Sequence, residues 1–230
     1  MELPGDHALL SHLTSLLALW RQQPAHRYLR VRLGTLVETA FSVGVSHTYA
    51  ATLYDAMTNA ESLSQFDGVP RRDNAVLKYF TPTLRQKYCF GTTLTQKVTT
   101  VGSRVLRCVN RMYDLQVELV EEEPCRPQNL PPQRLAIDVR LQSRLILSQQ
   151  HDRWQYQFCK MGSGPTAEEA CHNITVMIDL AFHPEDTFWT TACDLTPLAI
   201  ELLGRARDLL GRYNSHGQRE ALPLELSEPS

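Results

Sequence analysis

The 230-residue chain lacks several things that would settle its class at once. No apolar run approaches the ~18 residues of a membrane-spanning helix, so no membrane association is expected. The first residues, Met1-Glu2-Leu3-Pro4-Gly5-Asp6, show neither the basic start nor the continuous apolar stretch of a secretory signal. There is no surplus of charge of either sign, the formal net charge being −2. That argues against a protein that coats nucleic acid, while leaving room for a local basic interior. The six cysteines, at positions 89, 108, 125, 159, 171 and 193, form no CxxC pair, which makes a zinc site a poor expectation. Without a secretory signal they are expected to be reduced thiols in a nuclear or otherwise intracellular protein. Neither a GxSxG nucleophile elbow nor a GxxxxGK[ST] phosphate loop occurs, and no internal repeat is found.

What is present is alternation. In Arg27–Val37, Leu29, Val31 and Leu33 share one parity, and Tyr28, Arg30 and Arg32 share the other. In the stretch 173–182, Val176, Ile178 and Leu180 oppose Thr175, Met177 and Asp179. Successive strand side chains point to opposite sides, so each stretch offers one apolar and one functional face. Between them, 76–80, 83–90, 92–101, 104–111, 113–120, 134–147 and 152–160 are rich in Val, Leu, Thr, Tyr and Phe and read as strands. Leu115, Val117 and Leu119 oppose Asp114, Gln116 and Glu118. Leu135, Ile137, Val139 and Leu141 oppose Asp138, Arg140, Gln142 and Arg144. Gly91 and Gly102 mark expected turns. Residues 61–74 read as a loop because of Gly68, Pro70 and the Arg71-Arg72-Asp73 run. Residues 121–133, with three Glu and four Pro, read as a surface connection outside any central sheet. Residues 161–170 read as a loop ending in Glu168-Glu169.

Three helices frame the strands. Leu9, Leu13, Leu16, Leu17 and Trp20 give helical spacing over 6–22. Ser46 caps an expected helix at 47–59. Thr196 and Pro197 open one at 196–213, with Leu198, Leu202, Leu209 and Leu210 as its buried side. The expectation is an α+β, β-dominated fold. About eight strands form a closed, tunnel-like antiparallel barrel, flanked by N-terminal, post-strand-1 and C-terminal helices. One domain, 1–213, would be followed by a polar flexible tail, 214–230.

The order of these pieces resembles the tunnel-fold, metal-dependent RNA 5′-triphosphatases, the family of the beta subunit of fungal-type mRNA capping enzymes. Arg30-Val31-Arg32-Leu33-Gly34-Thr35, then Phe41-Ser42-Val43-Gly44-Val45-Ser46 and a helix, resembles that family's first strand, turn and helix. Ile137-Asp138-Val139-Arg140-Leu141-Gln142-Ser143, then Asp152-Arg153-Trp154-Gln155-Tyr156, is similar to its central basic strands. Thr175-Val176-Met177-Ile178-Asp179-Leu180 takes the place of its last acidic strand. The resemblance spans roughly residues 27–182. It implies a lumen in which paired glutamates hold Mn or Mg and basic residues bind the triphosphate.

At the metal-ligand positions the chain departs from that pattern. They fall on Tyr28, Arg30, Thr175, Met177 and Asp179, of which only Asp179 is a carboxylate. An arginine ~4 Å from a dication, at an effective dielectric near 20, is repelled by on the order of several kcal/mol. No cofactor is therefore expected. The basic half is fuller: Arg30, Arg32, Arg85, Lys87, Lys97, Arg104, Arg140, Arg144, Arg153 and Lys160 are phosphate-binding candidates.

Three readings stay open. One is a non-catalytic barrel acting as an interaction or scaffold subunit with protein partners in transcription or mRNA capping. Another is an active RNA 5′-triphosphatase using Mn or Mg and 5′-triphosphate RNA, with relocated ligands Asp114, Glu118, Asp138 and Asp179. The third is a metal-free tunnel for polyphosphate, nucleotide or an acidic peptide.

Overall fold

The computed structural model describes residues 6–108, 112–126, 135–151, 153–183, 194–210 and 224–226. Helix α1 (Asp6–Gln22) leads into β1 (Arg27–Val37), which turns back as β2 (Ala40–Val43). Then come α2 (His47–Thr58), a single-turn α3 (Ala60–Leu63), β3 (Arg71–Tyr79), β4 (Leu84–Cys89) and β5 (Thr92–Cys108). The chain continues with β6 (Asp114–Pro124), β7 (Asp138–Gln149), β8 (Trp154–Gly164), α4 (Ala167–His172) and β9 (Ile174–Phe182). Helix α5 (Thr196–Leu209) and a short β10 (Leu224–Leu226) complete it.

Eight strands close a ring in the order β5-β4-β3-β7-β8-β9-β1-β6 and back to β5, every pairing antiparallel. The two remaining strands sit outside the ring, β2 on β1 and β10 on β5. The expected β-dominated closed barrel with flanking helices is the observed fold.

Closure divides the side chains by parity. Leu29, Val31 and Leu33 of β1, Leu115, Val117 and Leu119 of β6 and Val176, Ile178 and Leu180 of β9 all point outward and are buried. They pack beneath Leu9, Leu13, Leu17 and Trp20 of α1 and Leu198, Leu202 and Leu209 of α5. Burying each such leucine contributes about 2 kcal/mol. The hydrophobic core thus lies outside the barrel wall, under the helices, and the opposite parity is left to line a lumen.

Several local expectations give way to the sheet. Arg71-Arg72-Asp73 begins β3, because each pairs with β7 from Ile146 to Arg144. The stretches 92–101 and 104–111 are one long strand over Thr92–Cys108; Gly102 marks a register shift after Thr100, a bulge and not a turn. Glu121–Pro124 belongs to β6 and pairs with β5, so that acidic segment is part of the barrel wall. Met161–Gly164 extends β8, and Glu168 and Glu169 lie in the first turn of α4. Leu135 and Ile137 precede β7 and are exposed. Ser46 does cap α2, its hydroxyl accepting from the Tyr49 amide. Leu195, not Thr196, is the N-cap of α5, and the Thr196 amide donates to Asp194 Oδ1. Within 214–230, the segment Leu224–Leu226 adds to β5 as a strand. The rest of that stretch, like Asp152 and Cys193, lies outside the described residues.

Candidate functional site: the barrel lumen

The inward parity lines a cavity of about 320 Å³. Strand β1 supplies Tyr28, Arg30 and Arg32; β3 supplies Arg71, Leu77 and Tyr79; β4 supplies Arg85 and Lys87. The opposite wall brings Arg140, Gln142 and Arg144 from β7, Gln155 and Gln157 from β8, and Met177 and Asp179 from β9. Four of the five positions at which the resemblance places metal ligands, Tyr28, Arg30, Met177 and Asp179, therefore meet in one lumen. Thr175 is exposed and stands outside its lining.

Three carboxylate centres organise the cations. In the first, Arg30 grips Glu118, with Nε and Nη2 donating to Oε2 at 3.1 and 2.8 Å. Register explains the match, because Arg30 stands directly opposite Glu118 across the β1–β6 pair. Arg32 lies between Glu118 and Asp179, its Nη1 3.7 Å from Glu118 Oε2 and its Nε 3.4 Å from Asp179 Oδ1. Burial works against the Arg30 charge, but Tyr28, Asp179 and Glu118 outweigh it and hold its pKa above the ordinary value.

The second centre is Glu122. Its Oε1 accepts from Arg85 Nη2 at 2.8 Å and from Tyr28 Oη at 3.0 Å, and its Oε2 from Gln96 Nε2 at 3.2 Å. Burial is the main reason the Tyr28 phenol is pushed up to about 12, and the Glu122 charge adds to it. The Tyr28 ring stacks on His183 at 4.8 Å.

The third is Asp73, which pairs with Arg144 and stands 3.9 Å from Lys87 Nζ. The Cys89 thiol donates to its other oxygen at 3.2 Å. Burial alone would raise the Asp73 pKa; the Arg144 and Cys89 hydrogen bonds, helped by the Arg144 and Lys87 charges, hold it below the usual range. At the rim, Arg140 donates to Asp138 at 2.7 Å and lies over the Tyr79 ring at 4.5 Å.

Desolvated cations without partners are costly, which accounts for this pairing. Yet the balance is not closed. Among the described residues, seven lining cations face five carboxylates counting Asp138. Arg71 has no carboxylate partner among them, and the buried Nε atoms of Arg85 and Arg144 have no hydrogen-bond partner.

Other candidate residues lie elsewhere. Lys97 and Arg104 are exposed on the outer parity of β5, where Lys97 stands opposite Glu123 and Arg104 opposite Val117. Lys160 is exposed on the outer wall, and Arg153, just before β8, donates to Gln150. Asp114 accepts from the amides of Leu36 and Cys108, tying strand ends together. The four carboxylates Asp114, Glu118, Asp138 and Asp179 are thus spread over a sheet end, a rim pair and the lumen.

A divalent ion wants several free hard oxygens at once. The lumen pair Glu118 and Asp179 is bridged by Arg32, so these residues as arranged do not fit such an ion. Among the described residues no three His, Cys, Asp or Glu side chains form a group that could hold one. Sequence reasoning missed Glu122, Asp73 and Arg71. The signal for Glu122 was its parity, two and four residues beyond Val120 and Glu118.

No family model matches the chain, and no curated protein matches it in sequence. Solved structures do. The S. pombe Pct1 RNA triphosphatase superposes with a TM-score of 0.72 at 13% identity, over 89% of this chain and 93% of that one. The fold is the tunnel barrel of the RNA triphosphatases. The Pct1 structure in complex with the Spt5 CTD gives a TM-score of 0.71 at 13% identity, covering 89% and 94% of the two chains. The mimivirus capping enzyme triphosphatase gives 0.57 at 8% identity, covering 87% and 96%. Within this tunnel fold, the lumen described above is the central cavity.

Proposed function

We propose that this tunnel barrel is non-catalytic and serves as an interaction subunit of a nuclear transcription or mRNA-capping assembly. One observation carries the reading: Arg32 bridges Glu118 and Asp179, and Arg30 also holds Glu118. The carboxylates best placed for a metal are thereby committed to arginines. A guanidinium seated there adds positive charge where a dication would have to enter. The partner class is supported by the Pct1 neighbour, whose structure is a complex with the Spt5 CTD.

The decisive assay is phosphate release from γ-labelled triphosphate-ended RNA by the purified full chain with Mn. The expected result is no release above buffer. Release that disappears in Asp179→Ala would overturn the reading in favour of an enzyme with relocated ligands.

A second reading is favoured by the unsatisfied Arg85 and Arg144 Nε atoms and by Arg71, which has no carboxylate partner among the described residues. They suit a metal-independent anion in the lumen, such as a polyphosphate. Titration of tripolyphosphate with and without EDTA tests it. Binding that ignores the chelator supports it, and binding that needs a divalent ion counts against it.

A further inference from the structure

The outer wall of the barrel is covered unevenly. Helices α1, α2 and α5 pack on the β1 and β9 side, while among the described residues the wall of β3, β4 and β7 carries the short α4 at its margin. A cleft of about 580 Å³ opens there, between the β3–β4 hairpin and α4. Its apolar floor is Val76, Tyr88, Leu141 and Ile174, and Ile174 is 55% exposed.

Among the described residues that line this floor, the charge has one sign. Lys160 lines the cleft, and Lys78 Nζ sits 5.3 Å over the Tyr88 ring. Arg72 lies on the same outward parity of β3 as Val76 and Lys78. None of the lining side chains is acidic, and Glu168 and Glu169 of α4 are not among them. Arg72, Lys78 and Lys160 have no carboxylate partner among the described residues. In the lumen, by contrast, nearly every cation is paired.

We propose that this cleft docks an extended acidic segment of a partner protein. One apolar side chain would enter between Tyr88, Leu141 and Ile174, and flanking carboxylates would meet Arg72, Lys78 and Lys160. The apolar floor supplies the area removed from water, and the rim charges supply selectivity and encounter rate. The inference rests on the reading of the barrel as an interaction subunit and gives that role an address outside the lumen.

The test is fluorescence anisotropy with the full chain and a labelled probe peptide, a Phe-Leu pair flanked by Asp and Glu, against the same peptide carrying Asn and Gln. The acidic probe should bind at least roughly tenfold more tightly. Lys160→Glu and Ile174→Asp, both at exposed positions and checked for unchanged Tm, should each weaken it by roughly fivefold or more. Saturating tripolyphosphate should not displace the probe. The proposal is overturned if the acidic probe does not bind, if both peptides bind alike, or if both variants bind as the parent does. Displacement by tripolyphosphate would move the site into the lumen, and tighter binding of a labelled oligonucleotide would make this a nucleic-acid surface. Either would also overturn it. RNA triphosphate hydrolysis on the same preparation reports separately: a protein that hydrolyses and still binds the probe loses the non-catalytic reading and keeps the cleft.

Discussion

Arg32 Nε lies 3.4 Å from Asp179 Oδ1, directly across the antiparallel pair of β1 and β9. The same guanidinium reaches Glu118 on the other neighbouring strand, so one side chain ties β1 to both β9 and β6. The side chains are only 18% and 9% exposed, so water screens the pair weakly. Removing one partner leaves the other charged and desolvated.

Arg32→Met should therefore lower unfolding free energy by about 3 kcal/mol, the low end for a buried pair. Arg32→Met combined with Asp179→Asn should recover part of that loss, since no orphan charge remains on β9. Urea unfolding of Arg32→Met, Asp179→Asn, the double variant and the parent checks both statements. A double variant less stable than the sum of its single changes would contradict the assigned pairing.

Arg85 donates to Glu122 through Nη2, while its buried Nε has no hydrogen-bond partner. If the cavity takes a polyphosphate, Arg85→Gln should weaken tripolyphosphate binding by roughly tenfold or more, the loss of one charge-assisted contact. Calorimetric titration in EDTA reads this directly. Lys97→Gln, on the outer wall, should leave the affinity unchanged.

Asp73 makes a pH-dependent contribution. Its folded pKa lies below the usual carboxylate value of about 3.9, so the unfolded chain takes up that proton first. The stabilisation is complete above that value and fades as pH falls toward the lower folded one. The gap in urea midpoint between the parent and Asp73→Asn should be steady from about pH 7 to 5 and should close below about pH 4.

Gly34 is fixed by close approach. A methyl there would press into the Ser42 carbonyl oxygen and the Phe41 ring, where β2 folds back on β1. Gly34→Ala should cost about 2 kcal/mol and lower Tm, because backbone and not a pliant side chain must give way.

The barrel was legible in the sequence wherever one face of a strand packs under a helix. Leu29, Val31 and Leu33 announce β1 because the core beneath α1 demands that period. The same demand exposes β9 through Val176, Ile178 and Leu180. Segments whose two faces are both polar gave no such signal. Glu121, Glu122 and Glu123 conceal their alternation because the outward pair also faces partly solvated cations and strands, so the run looks like a loop. Arg71-Arg72-Asp73 fails for the same reason. The lumen network was less visible still: Arg32 and Asp179 are 147 residues apart, and only the register of β1 on β9 sets them together. Parity put Arg30 with Arg32, Arg85 with Lys87 and Arg140 with Arg144 on shared faces, but it could not tell which face turns inward, nor that Arg30 and Arg32 would share Glu118 and Arg144 and Lys87 would share Asp73.

Helices α1 and α5 come from opposite ends of the fold and lean on one another over the β1–β9 wall. Trimming the molecule to a free-standing ring of strands would strip off that shared roof and leave a broad greasy flank in water. An engineered minimal version must keep both helices or replace them together, since sparing one alone abandons its companion's surface to self-association.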